Sequence, residues 1–225
     1  ITYKLVPGGQ VGDLYGYAFN RDDADNLIIG SDGFPSLNLD TLVKVGNALP
    51  NFTAGLTNTF RYKGVGLSVL LEWRDGGDMV DMGIRNSIRN GLLEQTARRY
   101  EEVIFNGVTA TGEPHTQPVE ITGETLYRSF ARYTGAAEVI LQDASWFRIR
   151  RVSVFYDLPK SILGGGKFIS TARVTLTGNN LFINTPFRGF DPETNYLGSG
   201  SSIYGFTGLQ TPGVRTYTAS LNLTF

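Results

Sequence analysis

From Arg215 to Phe225 the chain reads Arg-Thr-Tyr-Thr-Ala-Ser-Leu-Asn-Leu-Thr-Phe, an unbroken two-residue alternation that an extended strand turns into two faces. Tyr217, Ala219, Leu221, Leu223 and Phe225 fall on one side, and Thr216, Thr218, Ser220, Asn222 and Thr224 on the other. The polar side is all short hydroxyls and one amide, while the apolar side ends in an aromatic. A transmembrane barrel strand divides in this way between lumen and lipid. A half-buried strand of a soluble sandwich shows the same alternation, so this segment by itself leaves both architectures open.

Four further segments carry the same period. In Phe52 to Tyr62, Phe52, Ala54, Leu56, Phe60 and Tyr62 oppose Thr53, Gly55, Thr57, Thr59 and Arg61. After Lys63-Gly64, a turn whose glycine supplies a positive backbone angle, Val65, Leu67, Val69, Leu71 and Trp73 oppose Gly66, Ser68, Glu72 and Arg74. Between Trp146 and Leu158, Val152, Val154, Tyr156 and Leu158 oppose Arg151, Ser153 and Asp157. From Ala172 to Asn180, Ala172, Val174 and Leu176 oppose Arg173, Thr175, Thr177 and Asn179. The connections are short at Lys63-Gly64, very long from Asp75 to Ser145, short from Pro159 to Lys167 and long from Leu181 to Gly213. Strict alternation of short and long connections is the rule of an up-and-down barrel, with short periplasmic turns on one rim and long external loops on the other. Sandwich strands are usually shorter, about five or six residues.

Composition narrows the remaining possibilities. The 28 glycines and 12% aromatic content favour β structure rich in turns. With no cysteine, a disulfide scaffold and a thiolate zinc site are excluded. A net charge of -1 offers no electrostatic footprint for nucleic acid, and no apolar run reaches the roughly twenty residues of a spanning helix. Membrane insertion would therefore proceed by strands. No signal peptide is visible at Ile1-Thr2-Tyr3-Lys4. Five strands cannot close a barrel, and even a sixth from Ile1 to Val6 or Asp13 to Asn20 falls short of the usual minimum of about eight. The expectation is a portion of a larger protein.

Several stretches carry a family resemblance. They are Asp143-Ala144-Ser145-Trp146-Phe147-Arg148-Ile149-Arg150 with Leu158-Pro159-Lys160, Gly178-Asn179-Asn180-Leu181-Phe182, Gly189-Phe190-Asp191-Pro192-Glu193, and the final strand. Upstream, Gly46-Asn47, Pro50-Asn51-Phe52-Thr53 and Arg74-Asp75-Gly76-Gly77-Asp78 add to them. In this order and spacing they resemble the C-terminal part of SusC/RagA-type TonB-dependent outer-membrane transporters of Bacteroidetes. Asn180 departs from a more familiar glutamine-asparagine pairing, and Gly164 to Gly166 form an unusually loose triplet.

The resemblance implies an all-β fold. Residues 1–225 would be an antiparallel transmembrane β-barrel segment, the C-terminal strands of a barrel of about 22, with long external loops containing short helices. It also implies active import of glycans or oligopeptides across a Gram-negative outer membrane. The expected partners are a SusD-like surface lipoprotein as lid, the TonB complex acting through an N-terminal region absent here, the barrel-assembly machinery and outer-membrane lipid; a dimer of transporter-lid pairs is a further option. The plug domain and TonB box are likewise absent. The final strand, through Tyr217, Leu221, Leu223 and Phe225, would serve as the assembly signal. The competing readings are a soluble carbohydrate-binding β-sandwich and a passive porin or adhesin barrel segment.

Site residues are sought in the loops, because binding concentrates there over a rigid scaffold. Met82 to Arg99 allows a helix with Ile84, Ile88 and Leu92 on one stripe and a Glu94 to Arg98 pair, and a second helical turn fits Glu124 to Arg132. Tyr196, Tyr204 and Phe206, set among glycines and serines, together with Arg98 and Arg99, are the candidates for facing substrate or lid. Each has a plainer reading as rim packing. Asp191 and Glu193 read as turn structure rather than a calcium site. The single histidine, His115, reads as a solvated loop residue, and no nucleophile, phosphate-loop or zinc motif accompanies it. No enzyme, cofactor or metal is expected.

Overall fold

The computed structural model describes residues 1–163, 168–198, 200, 203–208 and 210–225. The glycine triplet Gly164 to Gly166 lies outside them. The chain forms two compact units, one of residues 50–76, 144–186 and 211–225, the other of residues 1–49, 77–143 and 187–210.

The first unit holds the five segments read as strands: β1 (Phe52–Tyr62), β2 (Val65–Asp75), β3 (Trp146–Asp157), β4 (Thr171–Asn184) and β5 (Thr216–Thr224). They form one sheet in the order β5-β4-β3-β2-β1 with every pair antiparallel, the meander expected of an up-and-down barrel. Lys63 (φ 47°) and Gly64 (φ 86°) both take positive φ in the β1–β2 hairpin, so the turn is of the primed kind whose twist suits flanking strands. The fourth strand runs four residues beyond the expected Asn180, and the long connection after it is correspondingly shorter.

Register converts the alternation into rows. Phe60, Leu67, Val154, Leu176 and Ala219 are successive partners across all five strands, as are Tyr62, Val65, Tyr156, Val174 and Leu221. On the other face Thr59, Ser68, Ser153, Thr177 and Thr218 line up in the same way. The apolar rows are solvent-facing, with Phe60 and Leu176 each 59% and Leu221 60% exposed. A soluble sheet would bury such rows, since water-soluble proteins rarely expose contiguous apolar surface beyond a few hundred Å². Eleven residues in β1 extend roughly 37 Å, and a tilt near 45° reduces this to about 26 Å, the height of the apolar band of an outer-membrane barrel. Among the described residues, β1 and β5 each pair on one side only, so the sheet is open at both edges.

One irregularity sits in β3. The pairing with β2 steps from Ile149↔Leu71 to Arg151↔Leu70, leaving Arg150 as the extra residue of a bulge. Opposite it in β4, Asn180 has φ 52°. Asparagine tolerates this left-handed region better than most residues, which accounts for its presence at that position.

The second unit is built from short elements. Thr2–Tyr3, Asp13–Gly16 and Val43–Asn47 make a three-stranded sheet of their own. The N-terminal stretches therefore add no strand to the five-stranded sheet. Asp78–Asp81 pairs with Leu141–Asp143 and Phe206–Thr207, and Glu101–Val103 with Val119–Ile121. Two apolar clusters hold the unit: Phe34, Ile88, Ile121, Leu126 and Tyr127, and Leu14, Ala48, Val80 and Ile140.

Helix α1 (Met82–Arg89) is shorter than the expected Met82 to Arg99. Asp81 caps its start by accepting a hydrogen bond from Ile84 N at 2.9 Å, and Gly91 at φ +70° follows its end. Ile88 is buried on the expected stripe, but Leu92 lies past the helix and is 74% exposed. The expected Glu94–Arg98 pair is replaced by Arg98 donating to Glu101 at 2.8 Å, because Glu94–Thr96 tightens into a 3₁₀ turn. In place of the single helical turn expected over Glu124 to Arg132 there are two wide turns, Gly123–Tyr127 and Phe130–Thr134, each closed by an i to i+5 bond.

Candidate functional site

The polar face of the sheet is cross-linked by charge rather than left as bare hydroxyls. Arg150 donates to Glu72 Oε2 at 2.5 Å and to Asn180 Oδ1 at 3.1 Å, so both irregular residues at the bulge meet in one network. Nearer the hairpin end, Arg173 forms a two-point pair with Asp157, at 2.5 and 3.0 Å. Phe155 lies between Arg61 and Arg173, 5.2 and 4.6 Å from its ring centroid, and only 7% of it is exposed. The Arg148, Arg150 and Arg151 cluster lies here: Arg148 is buried, and Arg151 reaches Asn179 Oδ1 at 3.3 Å.

Within the loop unit, Tyr196 and Phe206 line a cavity of about 880 Å³ together with Arg85, Asn86, Phe130 and Gln210. Tyr196 N donates to Phe206 O at 2.8 Å, and the Phe206 ring lies 5.8 Å from that of Tyr3. Tyr204 is half exposed and enters the arrangement through its backbone: Tyr3 Oη donates to its carbonyl and accepts from its N–H. Burial is the main influence on the Tyr3 phenol and raises its pKa. The two expected arginines are not in this cavity. Arg98 borders a separate space of about 660 Å³ with Arg188, and Arg99 a third of about 510 Å³, where it donates to the Gly91 and Thr96 carbonyls at 3.1 Å each. Of the five loop candidates, the structure brings together the three aromatics and separates the two arginines from them.

Arg85 is not among the sequence candidates, although its place three residues before Ile88 on a short amphipathic helix is readable. Its Nε donates to Thr134 O at 3.1 Å and its guanidinium lies 5.9 Å from the Phe130 ring centroid. Desolvation, with repulsion from Arg89 second, lowers its pKa. Two buried carboxylates of the unit respond in opposite directions. Asp13 is held below the usual range by its hydrogen bond from Lys44 at 2.8 Å, whereas desolvation raises Asp81 above it.

Asp191 accepts from Glu193 N at 3.0 Å and, through its carbonyl, from the Thr194 hydroxyl, so the stretch is the turn that its sequence predicts. His115 differs from expectation. It is half-buried with Nδ1 3.1 Å from Phe105 O, which ties it into the loop instead of leaving it solvated. Tyr217, Leu221, Leu223 and Phe225, the residues expected to carry an assembly signal, are all exposed.

A one-sided meander of long strands with outward apolar rows and a charged, hydrogen-bonded inner face defines an outer-membrane β-barrel segment. No family model matches the chain. It is nevertheless similar along its length to TonB-dependent receptors of Formosa agariphila, a Bacteroidetes. Receptor P3 is 25% identical, covering all of this chain and 23% of that receptor; receptor P26 is 27% identical, covering 84% of this chain and 18% of the receptor. Among solved structures, the RagAB peptide importer in its open-open state superposes with a TM-score of 0.66 at 20% identity, covering 95% of this chain and 22% of that one. A second RagAB peptide transporter structure gives 0.63 at 21% identity, with 95% and 23% covered. The chain spans less than a quarter of the length of these relatives, and it resembles a portion of a SusC/RagA-type TonB-dependent receptor.

Proposed function

We propose that these residues form part of the wall and the outward loops of an active importer in the outer membrane. The observation that carries this reading is the pair of continuous apolar rows, Phe60 to Ala219 and Tyr62 to Leu221, backed by a polar inner face. A sandwich would bury those rows, so the carbohydrate-binding sandwich is disfavoured by their exposure. The names of the relatives favour an energised receptor over a passive porin or adhesin, and the RagAB importers favour oligopeptides over glycans as cargo. In this reading a SusD-like lipoprotein covers the loop side and TonB engages parts of the receptor other than these residues. The strand ending in Tyr217, Leu221, Leu223 and Phe225 presents the apolar face that the assembly machinery reads.

The test is uptake by the native bacterium of labelled oligopeptides and oligosaccharides, with the receptor gene intact or deleted and with TonB active or removed. Peptide uptake that requires both receptor and TonB is the expected result. Undiminished uptake after deletion of the receptor gene overturns the import reading, and loss of oligosaccharide uptake alone reverses the cargo assignment.

A further inference from the structure

The cavity of about 880 Å³ in the loop unit has a chemical bias that its aromatics alone do not convey. Its walls are mostly apolar, from Val80, Met82, Ile140, Phe130 and Phe206, and among the described residues that line it none is an aspartate or glutamate. The charged side chain lining it is Arg85. This guanidinium is partly buried, commits its Nε proton to the Thr134 carbonyl, and rests near the Phe130 ring; no carboxylate pairs with it among the described residues. A desolvated cation without a counter-ion is unfavourable, and an anion delivered to it recovers a charge-assisted, two-point hydrogen bond. Gln210 adds a second donor of fixed direction. Its Oε1 is occupied by the Thr207 hydroxyl at 3.0 Å and Gly208 N at 2.6 Å, which leaves Nε2 without a partner among the described residues. Asn86, one residue beyond Arg85, brings a carboxamide to the same rim.

We propose that this cavity binds the carboxylate end of a short apolar peptide, with Arg85 as the anion clamp, Gln210 as a supporting donor, and the aliphatic and aromatic wall taking the adjoining side chains. The proposal rests on the import reading above and deepens it by naming the cargo chemistry. An acidic sugar offers the same anion, but its hydroxyl-covered body fits a wall of this composition poorly. The cation without a carboxylate partner and the apolar lining together favour the peptide. Arg85 contacts ligand directly in this scheme; Asp81, which caps the helix carrying it, is a positioning residue.

The experiment uses the full-length receptor with its lid, purified in detergent, and isothermal titration calorimetry. N-acetyl-Ala-Leu-Leu is compared as free acid and as C-terminal amide, with trigalacturonate as the acidic-sugar probe. The wild-type receptor should bind the acid at least about tenfold more tightly than the amide, as expected for one lost charge-assisted contact. Arg85→Gln should abolish that preference, and Arg85→Lys should restore part of it. Outer-membrane abundance and heat-modifiable migration of each variant report whether it has folded. Equal binding of acid and amide, absence of binding by either, a preference that survives Arg85→Gln, or Arg85-dependent binding of trigalacturonate in place of the peptide would each overturn the proposal. Receptor-dependent peptide uptake in cells with no acid-over-amide preference would sink this assignment while leaving the import reading in place. Loss of the import reading would appear separately, as uptake independent of the receptor gene.

Discussion

The ring of Phe155 occupies the space that a side chain at Gly66 would fill: the two residues are register partners on adjacent strands, and a Cβ built on Gly66 overlaps the ring outright. An aromatic packed across a cross-strand glycine is a device that pins register in curved sheets. Replacement Gly66→Ala should destabilise the barrel by about 1–3 kcal/mol, the usual penalty for overpacking. Denaturant unfolding of the full receptor measures it, and the double variant Gly66→Ala/Phe155→Ala should lose much less than the sum of the single changes. Additive losses would show that the two residues do not meet.

Leu176 and Thr177 are neighbours on β4 that lie on opposite faces of the sheet. Leu176→Arg, in the middle of an apolar row, should cost about 2–4 kcal/mol if that row faces hydrocarbon, while Thr177→Arg on the polar face should be tolerated. Refolding into vesicles of each variant, monitored by heat-modifiable migration, separates the two. Equal tolerance would contradict the assignment of faces.

Asn180 should accept glycine and resist alanine. Its φ of 52° costs an alanine about 1–2 kcal/mol, and alanine also removes the oxygen that accepts from Arg150. Glycine removes only the second of these. Unfolding midpoints ordered wild type, then Asn180→Gly, then Asn180→Ala are the expected result.

Asp81 gives a pH dependence whose sign is set by burial. Desolvation raises its folded pKa above the unfolded value near 3.8, so the folded state binds its proton more readily. The stabilising contribution is complete below the unfolded pKa and is lost as pH rises through the folded one. Protection factors of the α1 amides, with the intrinsic pH dependence of exchange divided out, should therefore rise on acidification from neutral pH towards the unfolded value. The substitution Asp81→Asn keeps the cap without the charge and should flatten the profile. A profile unchanged by that substitution would assign the effect to another group.

Much of the sheet is legible because a period of two is a strong signal when both faces are chemically uniform. In β1, every apolar residue from Phe52 to Tyr62 sits where alternation puts it. The fourth strand's extra reach past Asn180 is hidden, since a positive φ at Asn180 breaks the period at the very point where a reader would stop the strand. The loops are harder. The helix expected over Met82 to Arg99 ends early because a glycine at φ +70° follows it, and a stripe of three apolar residues does not report which of them the fold will cover. Arg85 escapes notice for a related reason: a lone arginine on a helix reads as solvated surface until Thr134 and Phe130, distant in sequence, are placed beside it.

The bulge at Arg150 carries a consequence for how this strand can evolve. Phe147 and Ile149 are odd-numbered, Val152, Val154 and Tyr156 even-numbered, yet all five lie on the same side of the sheet. The single supernumerary residue absorbs the change of parity. Excision of Arg150 alone would restore unbroken alternation with all five residues still on one side, so deletion here would cost the guanidinium that Glu72 and Asn180 hold rather than the division of the two faces.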